Sequence, residues 1–259
     1  MSNVSDIEAR VTSVKSLSSR FDCIEVERID SLDALIALSQ VYQYRNEYAA
    51  ITADSDCIAE AALCGRRICE ISDYVCRIYP TLRDIASCIR ALEYLRTVEY
   101  SYDLHHLKPF VNSNVDVLRH SAHLTDANRL VLAIISGEDD ERLVSLAEKC
   151  AARTTDAAAA RASLTASAIM PGRIPLDSVA EWFDCNARRL SHQSSISTSA
   201  DLQLIALAPL VWNSLPSMRS AVESLATLNP RADLTADMAL ASLRAFLALT
   251  SLIASITAA

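Results

Sequence analysis

The sequence predicts an all-α fold, an irregular bundle of about nine to eleven helices with a possible N-terminal arm. Only 3 of the 259 residues are Gly and 7 are Pro. Glycine supplies the positive φ angles of tight hairpins and phosphate-binding loops, so its scarcity argues against both. Apolar residues recur at spacings of three and four, and Ser, Thr or Asp precede several of these runs, as at helix N-termini.

Three helices are predicted in the first hundred residues, after an amphipathic N-terminal helix or arm at residues 4–18. Residues 21–29 form the only stretch that could be extended. Ser31 is a suitable N-cap for a helix over residues 32–51. The following helices are predicted at residues 54–79, capped by Asp54, and at 81–101, which begins after Pro80.

The middle of the chain alternates short helices and connections. Residues 102–113, which include Pro109, are expected to be a connection. Helices are then predicted at residues 115–124, 126–136 (capped by Thr125), 138–153 and 156–169. The last of these is rich in Ala, whose small side chain permits close helix approach and has high helix propensity.

The clearest break is at residues 170–175, which hold two prolines and one of the three glycines. It suggests three segments: an arm at 1–30, a helical domain at 31–170 and a C-terminal subdomain at 171–259. Helices in the subdomain are predicted at residues 177–190, 201–215, 217–228 and 234–256, with interruptions at Pro209 and Pro216.

The last helix is the most apolar element. Residues 238–259 contain one charge, Arg244. The segment could span a bilayer by length, but its Ser and Thr residues and this arginine favour a helix buried within the chain or between subunits. The residues predicted for a subunit interface are Leu240, Leu243, Phe246, Leu247, Leu249, Leu252 and Ile253.

Composition and charge limit the class of partner. The net charge of −8 argues against a surface built to coat nucleic acid, and 51% hydrophobic residues suggest surface hidden in an oligomer. The eight cysteines follow no apparent secretory signal, so we expect reduced thiols in the cytoplasm or in a virion, not in a secreted protein. Their closest spacing, Cys64 to Cys69, lacks a zinc pattern, and no cofactor is predicted.

Catalytic motifs offer little support for an enzyme. Three isolated glycines cannot compose a phosphate-binding loop, and no nucleophile elbow is present. His120 and His123 are predicted one turn apart on a helix, with Asp116 a turn earlier, an arrangement more often structural than metal-binding. The acidic run at residues 138–141 is best explained as a helix first turn. The second alternative function is an all-helical, metal-dependent enzyme using this run.

Arginines with interleaved tyrosines suggest the first alternative, a nucleocapsid-type protein that binds RNA. Only three of the 24 basic residues are lysines. Arginine forms planar, bidentate contacts with phosphate or carboxylate. The predicted RNA-binding residues are Arg66, Arg67, Arg77, Arg83, Arg90 and Arg96.

Taken together, these patterns predict a non-enzymatic protein that self-associates through apolar helix faces, most concretely a viral coat or shell subunit. The Ala-, Ser-, Thr- and Leu-rich composition resembles that of helical coat and nucleocapsid proteins, although no sequence motif carries this resemblance. The expected partners are the protein itself, other structural proteins and, under the alternative, RNA.

Overall fold

The computed structural model describes residues 19–52, 56–152, 154–193, 195–196, 198–231 and 234–257. In these ranges the chain folds into α-helices joined by turns and loops. These ranges contain 11 α-helices and no β-strand, which confirms the predicted fold class. The only extended pairing in them is a single bridge between Ile196 and Pro230. The amphipathic element predicted at residues 4–18 lies outside the described residues.

The helices are α1 Leu32–Thr52, α2 Cys57–Ile78, α3 Ile85–Tyr102, α4 Lys108–Arg119, α5 Asp126–Ser136, α6 Asp140–Ala152, α7 Ala157–Ile169, α8 Asp177–Ser191, α9 Ser199–Ser214, α10 Arg219–Ala226 and α11 Leu234–Thr257. Single 3₁₀ turns occupy Val26–Arg28, Tyr79–Thr81, His105–Leu107 and Pro216–Met218.

Side-chain caps fix where several helices begin. Ser31 Oγ accepts from Ala34 N at 3.4 Å, Thr125 Oγ1 from Asn128 N at 3.2 Å and Asp156 Oδ1 from Ala159 N at 2.8 Å. Each bond satisfies a backbone donor that has no partner inside the helix. The predicted caps at Ser31 and Thr125 are therefore confirmed, whereas Asp54 lies outside the described residues.

Proline misled the prediction at three places. Pro80 lies within the 3₁₀ turn Tyr79–Thr81 and does not start a helix. Helix α3 begins only at Ile85, because Asp84 is extended and its carboxylate accepts from Ser87 N at 2.7 Å. Pro109, assigned to a connection, lies in the first turn of α4, where its missing N–H costs nothing. Helix α9 continues through Pro209, which removes one helical hydrogen bond without ending the helix.

The first of two compact units comprises residues 1–74, 195–197 and 228–259. In its described part, α11 packs along α1. Small residues bring the two backbones together: Ala37 and Ala241 are buried, and Ser242 Oγ lies 3.2 Å from the Ala37 carbonyl oxygen. Leu35, Leu38 and Val41 are buried and form the inward apolar stripe of α1.

The second unit comprises residues 75–194 and 198–227 and contains α3 to α10. The Ala-rich α7 packs against α5, α6, α8 and α9. Ala160, Ala162 and Ala166 on α7 are buried, so their small side chains allow close approach of several helices. The break at residues 170–176 joins α7 to α8 within this unit, and a domain boundary there stays a prediction.

Within the described residues, no helix combines the length and the apolar character needed to cross a lipid bilayer. This includes the described part of α11, the segment for which a membrane span was considered from the sequence.

Candidate functional site

A buried polar cluster in the described part of the first unit lies where the chain enters α1. Residues 19–29, here called the strap, begin with the helical residue Ser19, turn at residues 20–23 and make one 3₁₀ turn at Val26–Arg28. Local backbone hydrogen bonds shape these turns, including Ile24 N to the Phe21 carbonyl at 3.1 Å. Phe21, Val26 and Ile29 are buried and anchor the strap through their apolar side chains.

Arg45 on α1 joins the strap to α2. Its Nη1 lies 2.5 Å from Asp22 Oδ1 and its Nη2 lies 3.2 Å from Asp22 Oδ2, a bidentate pair. Its Nε donates to Glu60 Oε1 of α2 at 2.7 Å. One guanidinium, only 7% exposed, is thus shared by two carboxylates from two other segments.

Tyr42 and Arg67 extend this cluster along the strap. The Tyr42 hydroxyl donates to the Phe21 carbonyl at 3.2 Å and accepts from Arg67 Nε at 3.2 Å. Arg67 also donates to the Ile24 carbonyl and to Glu70, both at 2.7 Å. The guanidinium carbons of Arg45 and Arg67 lie 5.4 and 5.5 Å from the Tyr42 ring centroid, within cation–π distance.

Tyr74 supplies the last contact, since its hydroxyl lies 3.3 Å from the Glu27 carbonyl of the strap. We call Tyr42, Arg45, Arg67 and Tyr74 the donor face. Its members come from α1 and α2, and each of them donates to the strap.

Burial fixes the protonation of this cluster. It raises the pKa of Tyr42 to about 12, although Arg67 acts in the opposite direction. Burial also raises the pKa of the neighbouring Cys64 thiol to about 12, against the lowering effect of Arg45. For Arg45, burial disfavours the charge, but Asp22 and Glu60 outweigh it and leave the pKa above its usual value. At neutral pH Tyr42 and Arg45 therefore keep their protons and act as hydrogen-bond donors.

This arrangement is suited to holding chain, not to transferring protons or acyl groups. A catalytic base is effective when its pKa lies near the working pH, and a reactive cysteine needs a lowered pKa. Neither Tyr42 nor Cys64 meets these conditions. Arg45 and Arg67 are balanced by Asp22, Glu60 and Glu70.

The six arginines predicted to contact RNA divide between the two units. Arg67 belongs to the donor face, and Arg96 contacts Glu99 at 2.8 Å and Asn112 at 2.5 Å. The remaining four are either exposed (Arg66, Arg77 and Arg83) or half-buried (Arg90). Arg66 and Arg67 lie in the first unit and the other four in the second. Their role in RNA binding stays a prediction.

The residues predicted for a subunit interface lie on α11. Leu240, Leu243 and Phe246 are buried in this single chain, and the Phe246 ring lies 5.8 Å from that of Tyr44 on α1. Leu247 is half-buried. The side chains of Leu249, Leu252 and Ile253 lie outside the described ones. Helix α11 is therefore buried within the chain, one of the two possibilities given by the sequence. A contact of α11 between subunits stays a prediction.

The acidic run at residues 138–141 precedes and begins α6. Glu138 pairs with Arg119 and, at 2.7 Å, with Arg142, while Asp140 pairs with Arg173 at 3.2 Å. Asp140 and Glu141 occupy the first turn of α6, as the preferred interpretation expects. The acidic run therefore forms the beginning of a helix, and two of its carboxylates form ion pairs with arginines.

The predicted histidine pair is not on a common helix. Helix α4 ends at Arg119, so His120 is its C-cap and His123 lies in the turn that follows. The His120 ring nitrogen Nδ1 lies 2.8 Å from the Asp116 carbonyl oxygen, a local contact at the helix end. The expected spacing of one helical turn between the two rings is therefore wrong.

Sequence reasoning missed the donor face except for Arg67. One signal was present: Arg45 follows Leu38 and Val41 at helical spacing and so continues the inward stripe of α1. A charged residue at an inward position needs a buried partner. The identity of that partner, Asp22, could not be read from the sequence because the strap has no regular period.

Comparison with known proteins found no matching family model, no matching curated protein and no matching solved structure.

Proposed function

We propose that this protein is a non-enzymatic structural subunit that acts by self-association, most concretely a viral coat or shell subunit that binds its own copies and other structural proteins. The observation that supports the proposal is that two buried arginines bind a segment of their own chain. Arg45 and Arg67 are both buried, and the segment that they bind is the strap. Their bonds stabilise a fixed structure.

Apolar surface supports association. In the described part of the chain, large apolar side chains with high exposure include Ile58 at 79% in the first unit, and Tyr100 at 88% and Val117 at 70% in the second. Apolar and aromatic side chains are enriched at the centre of subunit interfaces. A shell assembled from many copies needs such contacts and no catalysis.

Light scattering coupled to size exclusion tests the proposal over a wide range of protein concentrations. We expect molar masses at multiples of 28.2 kDa. A single species of 28.2 kDa at every concentration would contradict self-association. Truncation before α11 is unsuitable because this helix is buried against α1 and its loss would unfold the first unit.

Point variants on exposed positions locate the contact without disturbing the core. We expect Ile58→Ser or Tyr100→Ser to weaken association about tenfold, as loss of an apolar interface residue does. Thr97→Ala is the matched control because Thr97 is exposed and lies one turn from Tyr100 on α3. If neither serine variant changes the mass distribution, these residues do not carry the association.

The same preparations examine the RNA alternative through their absorbance ratio at 260 and 280 nm. Particles free of nucleic acid favour self-association through protein contacts alone. Loss of the oligomer on nuclease treatment, and loss of bound RNA in an Arg66→Glu, Arg83→Glu variant, would favour RNA binding instead.

A further inference from the structure

We infer that the donor face is a binding site for the strap of a second copy of this chain, so that subunits exchange straps. This inference rests on the proposed function, because it names one contact through which the subunits associate, beside the exposed apolar residues. It concerns residues 19–29 as the bound segment and Tyr42, Arg45, Arg67 and Tyr74 as the site.

The first argument is chemical complementarity. The donor face offers hydroxyl and guanidinium donors, and the strap offers acceptors to them. Three of the accepting groups are backbone carbonyls, those of Phe21, Ile24 and Glu27, at regular intervals of three residues. The fourth is the Asp22 carboxylate. This is how a protein recognises a peptide segment: carbonyls give affinity and one side chain fixes the register.

Apolar anchors complete the recognition. Phe21, Val26 and Ile29 are at most 4% exposed. Residues 20–29 of the strap lie outside the α-helices. Its attachment therefore comes from side-chain contacts and apolar burial, in the manner of a bound ligand.

The second argument is covalent connection. Only residues 30 and 31 separate the last strap residue from the start of α1. None of the four strap contacts involves residues 30–31, so a strap from another copy offers the same groups to the donor face. Exchange of an identical element therefore creates a dimer at low energetic cost. Protein concentration and the geometry of residues 30–31 decide which copy supplies the strap.

The third argument concerns which occupant fits. Without the strap, Arg45 and Arg67 face Glu60 and Glu70, so the charges of the site balance. A segment bound at this site needs one carboxylate to pair with Nη1 and Nη2 of Arg45. It also needs apolar residues near this carboxylate that can be buried. Asp22 and its neighbours have this pattern, whereas a polyanion such as RNA would meet no net positive charge there.

Complementation between two charge variants tests the exchange. Asp22→Arg spoils the strap and Arg45→Asp spoils the site. We expect each variant alone to associate at least tenfold more weakly than the parent chain. In an equimolar mixture, the intact strap of Arg45→Asp chains meets the intact site of Asp22→Arg chains, so the oligomer should return. No recovery from two folded variants would overturn the inference.

The control variants are Glu25→Arg and Arg28→Asp, alone and mixed. These residues form an ion pair within the strap whose side chains are 64% and 77% exposed. We expect them to associate like the parent chain in every combination. A loss of association comparable to that of Asp22→Arg would show that the overall charge of the strap controls association. The contact with Arg45 would then not be its cause, which would overturn the inference.

A second measurement does not require the charge variants to fold. Chains labelled with ¹⁴N and ¹⁵N, each carrying a photoreactive residue at exposed position 25, are mixed in denaturant and refolded together. Random exchange predicts that about half of the cross-links from the strap to α1 or α2 join different isotopes. Oligomers with only same-isotope cross-links would overturn strap exchange and leave self-association intact. Monomers alone would overturn both.

Discussion

Arg45 of α1 and Asp22 of the strap form a bidentate ion pair with distances of 2.5 and 3.2 Å, and only 7% of the arginine side chain is exposed. The same guanidinium holds Glu60 of α2 at 2.7 Å. One side chain of α1 therefore joins the preceding turn segment to the following helix. This relationship explains why an arginine continues the apolar stripe of α1.

Replacing Arg45 by Met is expected to lower the free energy of unfolding by about 3 kcal/mol, because two partly buried carboxylates lose their partner. Both carboxylates are 25% exposed, which places the effect at the low end for buried pairs. Urea denaturation followed by circular dichroism measures it. Arg28→Met, at an exposed pair with Glu25, is the control and should change stability by less than about 0.5 kcal/mol. Equal effects of the two substitutions would contradict the role of Arg45.

Stability is expected to fall at alkaline pH. Burial raises the pKa of Cys64 from 9.0 to about 12, of Cys150 from 9.0 to about 11 and of Tyr42 from 10.0 to about 12. Between the unfolded and folded values the unfolded chain has lost a proton that the native chain retains. Each group then lowers the free energy of unfolding by about 1.4 kcal/mol per pH unit. Below about pH 8 these groups are protonated in both states and contribute almost no slope.

Denaturation curves recorded between pH 8 and 11 check this expectation. Cys64→Ala removes one of the titrating groups and should make the alkaline slope shallower, by about 1.4 kcal/mol per pH unit between pH 9 and 11. Cys185→Ala, at an exposed cysteine, is the matched control. A slope that is unaffected by Cys64→Ala would argue against a raised pKa at this thiol.

Two glycines should respond oppositely to alanine. Gly65 lies inside α2 and an added Cβ meets nothing within 4 Å, so Gly65→Ala should stabilise the protein by about 0.5–1 kcal/mol through helix propensity. Gly137 ends α5 at φ 66°, in the left-handed region. Gly137→Ala should therefore destabilise by about 1 kcal/mol. Thermal melts of the two variants decide the matter, and a shift of both in the same direction would be inconsistent with these backbone geometries.

Leu243 tests the placement of α11. It is fully buried in this chain, so Leu243→Ala should create a cavity and lower the free energy of unfolding by about 2–5 kcal/mol at any protein concentration. If Leu243 instead acts only between subunits, the loss will vary with concentration, as mass action requires. Denaturation at two concentrations a hundredfold apart distinguishes these cases. The half-buried Leu247→Ala variant provides a comparison and should cost less.

The helices could be predicted because periodicity and capping act locally. Helix α5 was found with its boundaries, since Thr125 caps its start and Gly137 supplies the positive φ at its end. The errors occurred where two local signals competed. Proline is compatible with the first turn of a helix as well as with a connection, and only the carboxylate of Asp84 decides where α3 begins.

The donor face was largely beyond prediction because its contacts join residues distant in the sequence. Arg67 reaches Ile24 across 43 positions and Arg45 reaches Asp22 across 23. Arg67 was assigned to an RNA-binding face because spacing on a helix does not distinguish an exposed arginine from one buried by another segment. The inward position of Arg45 showed that a partner was needed, but not which one.

The most direct measurement of the central claim, that this is a self-associating structural subunit, is native mass spectrometry of the full-length chain at micromolar concentration. We predict a dominant series at multiples of 28.2 kDa that dissociates on dilution. A spectrum containing only the 28.2 kDa chain throughout the dilution series would contradict the account.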